Sequence, residues 1–200
     1  MGVSAWALAV IFVSGWTLMT VAMMLPTSTP LILLFHRMVI VLPRAQGLAA
    51  LLIAGYLLVW MGFGLAVHLL SRAVTAVAVS IPWLAVHPWA TTVPILLGAG
   101  LYQFSSLKYA CLDKCRSPMS FLVERWRGVR PARDAFRLGA NHGIYCVGCC
   151  WSLMLVMFAV AEESLAWMLA LAALMAAEKN LPGGRRLAAP VGLMLIAGVT

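Results

Sequence analysis

At 200 residues, 64% hydrophobic and only 10% charged, with a mean hydropathy of +0.98, the chain is excluded from the ordinary water-soluble domains. Such a domain carries about 25% charged residues to cover its water-facing surface; here lipid must cover much of it. The net charge of +8 invites a nucleic-acid reading, but its placement is that of basic loops beside a membrane, so no nucleic-acid partner is expected.

A membrane span needs roughly 20 apolar residues to cross about 30 Å of hydrocarbon. Along the chain, six stretches qualify as candidates. The first runs from about Ala5 to Leu25 and stops near Pro26; with no Lys or Arg before it, it does not read as a signal peptide. Pro30 to Leu42, holding His36 and Arg37, is too short to span. The second candidate runs from about Gly47 to Leu70. Ala73 to Ala90 is interrupted by Pro82 and Pro88 and reads as interfacial or re-entrant. The third covers Thr91 to Leu107. Residues 118–136 mix Phe121, Leu122, Val123 and Trp126 with arginines, which predicts a short amphipathic helix at the membrane interface. The fourth, fifth and sixth cover Leu138 to Ala161, Ser164 to Ala177 and Leu187 to Thr200. The expected fold is therefore all-α: a polytopic transmembrane helix bundle of about six spans with a short interfacial helix, making one integral membrane domain over residues 1–200.

Six spans put the connections holding Arg37 and Arg44, the long basic loop of about 108–137, and Lys179, Arg185 and Arg186 on one side. Of the 14 basic residues only Arg72 falls on the other side, where Glu162 and Glu163 also lie. The positive side of a membrane protein is the cytoplasmic one, so both termini are expected outside, in contact with the periplasm.

Five cysteines cluster on two of these elements. Cys111 and Cys115 follow the third span, and a helix continuing through them puts both thiols on one face. In the fourth span, His142, Cys146, Cys150 and Met154 recur every four residues, a stripe of imidazole, thiols and thioether; Cys149 flanks it. The topology brings the end of span three and the start of span four to the same membrane surface, where Cys111, Cys115, His142 and Cys146 could share a site. Gly139 and Gly143 would let a neighbouring helix approach closely. Thiolates and thioethers are soft ligands that favour Cu(I), and mixed thiolate–imidazole sets also suit Zn(II). The chain holds 12 Met; Met19, Met23 and Met24 on span one, and Met168 and Met175 on span five, are core or lipid filling unless a metal recruits them. Glu178 is expected to snorkel to water; pairing to Lys108 or an arginine, or service as a hard ligand or proton acceptor, are the alternatives.

These strings resemble the predicted metal-binding integral membrane proteins, a bacterial family with a proposed copper-chaperone role. The resemblance is carried by Trp16 to Pro26, by Tyr102-Gln103 and Leu107-Lys108, by Cys111 to Pro118, and by Gly139 with Gly143-Ile144-Tyr145-Cys146-Val147-Gly148-Cys149-Cys150-Trp151-Ser152-Leu153-Met154. Trp167-Met168 and Glu178-Lys179 complete it. Ser106 stands where the family pattern has Pro, and Glu163-Ser164 where it has Met-Asn. The resemblance implies a bacterial inner-membrane protein.

The reading that unites these features is a soft-metal binding protein or metallochaperone, with Cu(I) as cargo and Zn(II) as the second choice. Its ligands would be Cys111, Cys115, His142, Cys146, Cys149 and Cys150, with Met23 and Met154 as weaker ones, and its partners the lipid bilayer, the metal and a copper-dependent client protein. Two other readings stand beside it. Cys146-x-x-Cys149 has the spacing of a redox dithiol, which would make a membrane thiol-disulfide oxidoreductase. Cysteines used only for packing would fit a structural or assembly subunit of a membrane complex. No Walker motif marks an ATP-driven pump, and a non-enzymatic role is favoured.

Overall fold

The structure is a computed structural model that describes residues 4–87, 89–160 and 165–198. The acidic connection holding Glu162 and Glu163, and Pro88, lie outside the described residues. All regular structure among the described residues is helical: α1 (Ala5–Met23), α2 (Thr29–Val39), α3 (Ala45–Ser80), α4 (Pro82–Ala85), α5 (Trp89–Tyr102), α6 (Ser106–Arg116), α7 (Pro118–Arg125), α8 (Pro131–Val160), α9 (Leu165–Asn180) and α10 (Ala188–Ala197), with 3-10 turns at Pro26–Ser28 and Gly184–Leu187. The expected all-α class is borne out.

Prolines set the boundaries. Pro30, Pro118 and Pro131 each stand in the first turn of a helix, where the missing N–H costs nothing. Pro82 forces Ile81 into an extended conformation (φ −118°, ψ 100°), and α3 stops one residue earlier. The stretch after Leu70 therefore differs from the interfacial or re-entrant segment expected. It continues α3 to Ser80, because Arg72 is a good helix former and no breaker occurs before Pro82.

Among the described residues three helices are long and apolar enough to cross a membrane, within Trp6–Met23, Ala45–Ser80 and Pro131–Met157; the shorter apolar helix Thr92–Tyr102 is a fourth apolar element. At 36 residues α3 is about 54 Å long at ~1.5 Å per residue, well beyond the roughly 30 Å of bilayer hydrocarbon.

The chain divides into two compact units. The first comprises Met1–His68 and Asp113–Val147. Its core gathers Leu31, Phe35 and Val39 from one face of α2, Leu48 and Leu52 from α3, Phe121 and Leu122 from α7, and Ala135 and Leu138 from α8. The apolar face of α7 is thus buried against the protein. Phe121 and Leu122 enter this core because α2 offers a complementary stripe at i, i+4 and i+8, while Met119 and Val123 of α7 stay exposed. Between α3 and α8, small residues allow backbone contact. Gly139 abuts the Leu52 carbonyl, Gly143 packs on Tyr56 and Val59, and Gly55 packs on Phe136 and Ala140. A seam of Trp16 against Gly64 and Phe63 joins α1 to α3.

The second unit comprises Leu69–Leu112 and Gly148–Thr200. Here α5 and α10 approach through Gly100 and Gly192, where any Cβ would collide with the partner helix or with Gln103 and Phe104.

Candidate metal centre

In the first unit α8 carries His142 and Cys146 one turn apart, both buried. The glycine contact with α3 brings Tyr56 against them. The Tyr56 ring stacks on His142 at 5.8 Å, and its Oη lies 3.1 Å from Cys146 Sγ. The Tyr56 hydroxyl also reaches the Met24 carbonyl oxygen at 3.4 Å, which accepts from Thr27 Oγ1 at 2.8 Å and Ser28 Oγ at 3.3 Å as well. The non-helical turn after α1 thereby supplies an anchoring point for side chains from two other helices. His142 Nε2 lies 3.2 Å from Ser28 Oγ. With the Ser28 proton directed to Met24, the oxygen of Ser28 accepts Nε2–H, which leaves the imidazole lone pair on Nδ1. Phe121 closes the other side edge-on at 5.6 Å. The result is a dry thiol–imidazole pair held by a phenol and a hydroxyl.

In the second unit α8 presents Cys149 and Cys150, both buried, with sulfurs 3.4 Å apart. Ser105 Oγ accepts the Leu107 N–H at 3.1 Å and starts α6, which carries Cys111. A Cβ on Gly148 would lie 2.6 Å from Cys111 Sγ, so the glycine is what lets this thiol rest on the backbone of α8, next to Cys149 in sequence. Tyr102 Oη donates to the Gly148 carbonyl at 2.5 Å, and the residue is in electrostatic range of Cys111, Cys149 and Cys150. Burial pushes the Cys111 thiol up from its ordinary value. A metal taken up there must displace a proton, and the uptake strengthens as pH rises.

The other expected ligands are dispersed. Met154 is fully buried on α8 in the second unit. Cys115, half-buried, belongs to the first unit, as does Met23, half-buried at the end of α1. A single helix α6 does carry Cys111 and Cys115 four residues apart, as expected, although it starts afresh at Ser106 instead of continuing span three. Among the described residues no three His, Cys, Asp or Glu side chains converge closely enough to hold a metal as they stand. No disulfide joins any of the five cysteines. Sequence reasoning missed Tyr56 and Ser28. The signal for Tyr56 was present: a phenol inside an apolar span requires a hydrogen-bond partner.

Glu178 is not exposed as expected. Its carboxylate meets Lys108 Nζ at 2.8 and 3.1 Å, both side chains are buried, and Lys108 also donates to Gln103 Oε1. Pairing removes the reason to reach for water.

Two buried thiol groups, one with imidazole, make soft-ligand chemistry the common property of both units. A family model described as PpoB2, copper chaperone, matches residues 13–200. The chain belongs to this copper chaperone family. No curated protein and no solved structure matches it. Membership bears out the copper-chaperone-like resemblance and makes copper the metal the family name points to.

Proposed function

We propose that the chain is a bacterial inner-membrane copper chaperone that carries Cu(I) on cysteine thiolates at two stations. The first is built on Cys146 and His142 in the first unit. The second is built on Cys111, Cys149 and Cys150 in the second unit, with Met154 as a soft neighbour. Cys115, the more accessible thiol, and Met23 are the exchange ligands that meet incoming copper or the client protein. The observation that carries this reading is the placement of Cys111 against Gly148, the residue that precedes Cys149 and Cys150, whose own sulfurs adjoin. Thiolates in a low-dielectric bundle are costly unless a cation neutralises them, which couples these cysteines to a metal. The same soft donors would admit Zn(II) less well, because they do not converge as the four-ligand set that ion prefers.

In this reading α1, α3 and α8 cross the bilayer, and α5, α9 and α10 complete six crossings. The basic connections then face the cytoplasm, and both termini face the periplasm. The charge pattern supports it: with six crossings, the basic residues other than Arg72 would all fall in connections on one side. The test is copper analysis of detergent-purified protein loaded anaerobically with Cu(I). Two copper ions per chain are expected, one per station, falling to none when all five cysteines are serine. A cysteine-free chain that kept its copper would overturn the proposal.

A further inference from the structure

The second unit buries a polar cluster that thiol ligation does not use. Lys108, Glu178 and Gln103 are all 0% exposed. Two ammonium hydrogens serve the Glu178 carboxylate and the third serves Gln103 Oε1, while Gln103 Nε2 has no hydrogen-bond partner among the described residues. A buried ion pair is weak support for stability, since desolvation offsets most of its attraction. Ionisable groups at such depth in a membrane protein mark functional relays. The pair adjoins one of the thiols along α6: Lys108 and Cys111 are three residues apart, hence neighbours on one face, and both are buried. Among the described residues of the second unit Glu178 is the one carboxylate. Other ionisable groups on the helices of this unit are Tyr102 at the end of α5, Tyr109 on α6 with Arg185 lying 4.9 Å over its ring, and buried Lys179 next to Glu178 on α9.

Loading copper creates a charge imbalance. When two thiols bind Cu+, two S–H bonds break and two Cu–S bonds form. Two protons are released, and the bis-thiolate complex carries one negative charge in a medium that tolerates it poorly. We propose that the Gln103–Lys108–Glu178 cluster is a proton-accepting counter-charge, so that the second unit exchanges one Cu+ for one H+ with no net change of charge. One released proton forms an O–H bond on Glu178, and the other leaves the protein. Lys108 keeps its proton, loses its carboxylate partner and becomes the counter-ion of the bis-thiolate. Gln103 Oε1 holds the ammonium in place throughout. Copper remains monovalent and no electron moves.

This rests on copper binding to the second unit's thiols, and the test separates the two. Protein bearing Cys146→Ser, so that only the second station loads, is titrated anaerobically with Cu(I) in weak buffer near neutral pH while an indicator dye counts protons. One proton per copper is expected. Glu178→Gln, which keeps one carbonyl acceptor for Lys108 but accepts no proton, and Lys108→Met/Glu178→Leu, which removes the pair, should release two and bind copper at least tenfold more weakly. Two protons per copper from the parent protein would overturn the exchange while leaving the copper reading intact. No copper uptake at all would overturn both.

Discussion

The phenol of Tyr56 on α3 lies 3.1 Å from the thiol of Cys146 on α8. Those residues are separated by 90 positions in sequence, and they meet because Gly55, Gly139 and Gly143 bring the two helices to backbone contact. Once Cys146 is a thiolate it can only accept, and the Tyr56 hydroxyl is the donor on hand. Tyr56→Phe should therefore weaken Cu(I) at the first station about tenfold, the equivalent of one good hydrogen bond of ~1.4 kcal/mol. The fold should survive, since the ring and its stack on His142 are retained. Competition against a Cu(I) chelator, with a thermal melt beside it, reads both quantities. An unchanged affinity would mean that the phenol only packs.

Two glycines of α8 should respond differently to alanine. At Gly139 the new methyl group overlaps the Leu52 carbonyl, which is backbone and cannot yield without parting α3 from α8. Gly139→Ala should cost ~1–3 kcal/mol of stability, the usual penalty of overpacking. At Gly148 the obstacle is the Cys111 sulfur, the end of a side chain that can rotate. Gly148→Ala should leave the melting temperature near that of the parent and lower copper affinity at the second station about tenfold, an order-of-magnitude expectation for a displaced ligand. Gly62, with nothing within 4 Å of an added Cβ, is the control for both. Equal melting temperatures for Gly139→Ala and Gly62→Ala would refute the close contact.

Some of this was legible in the sequence. Long apolar runs foretold helices, prolines their ends, and the small residues at 139 and 143 the close approach to a neighbour. The spacing of Cys111 and Cys115, and of His142 and Cys146, placed each pair on one helix face. Other features depend on contacts that local pattern does not encode. The burial of α7 needed the complementary face of α2, and the fate of Glu178 needed Lys108, 70 residues away. The length of α3 follows from the short reach of a proline, which disfavours helix only at its own N–H and at the residue before it, so the run from Ala73 stays helical to Ser80 despite Pro82.

Removing one member of the Lys108–Glu178 pair should be far worse than removing both. Lys108→Met leaves a carboxylate buried without its cation, and breaking such a pair from one side typically costs about 3–5 kcal/mol. Lys108→Met/Glu178→Leu replaces the pair by apolar groups and should recover most of that loss. Thermal unfolding in one detergent, across the double-mutant cycle, measures the coupling. Additive losses would show that the two side chains do not depend on each other.

Reporter fusions test the orientation. A reporter after Arg127 or after Arg185 should give a cytoplasmic signal, and one at Glu163 an external signal, because basic connections are retained inside. A periplasmic signal at Arg127 would invert the proposed orientation. It would also expose the cysteines of α6 to the oxidising side, where a thiol–disulfide role becomes the better reading.

The cysteine series decides between two stations and one. Cys146 is buried in the first unit beside His142 and Tyr56, while Cys149 and Cys150 adjoin each other in the second, where Cys111 rests on Gly148. A serine hydroxyl has nearly the shape of a thiol but is a poor ligand for a soft ion, so each substitution removes ligation with little change in packing. Cys146→Ser should lower the copper content by one ion per chain and leave the rest as tightly held as before. Cys149→Ser/Cys150→Ser should remove the other ion, and the triple variant should hold none. Losses at independent sites add, and losses at a shared site do not. If Cys146→Ser alone emptied the protein, the copper would be one ion drawn between all the thiols, and the assignment of a separate station to each unit would fall.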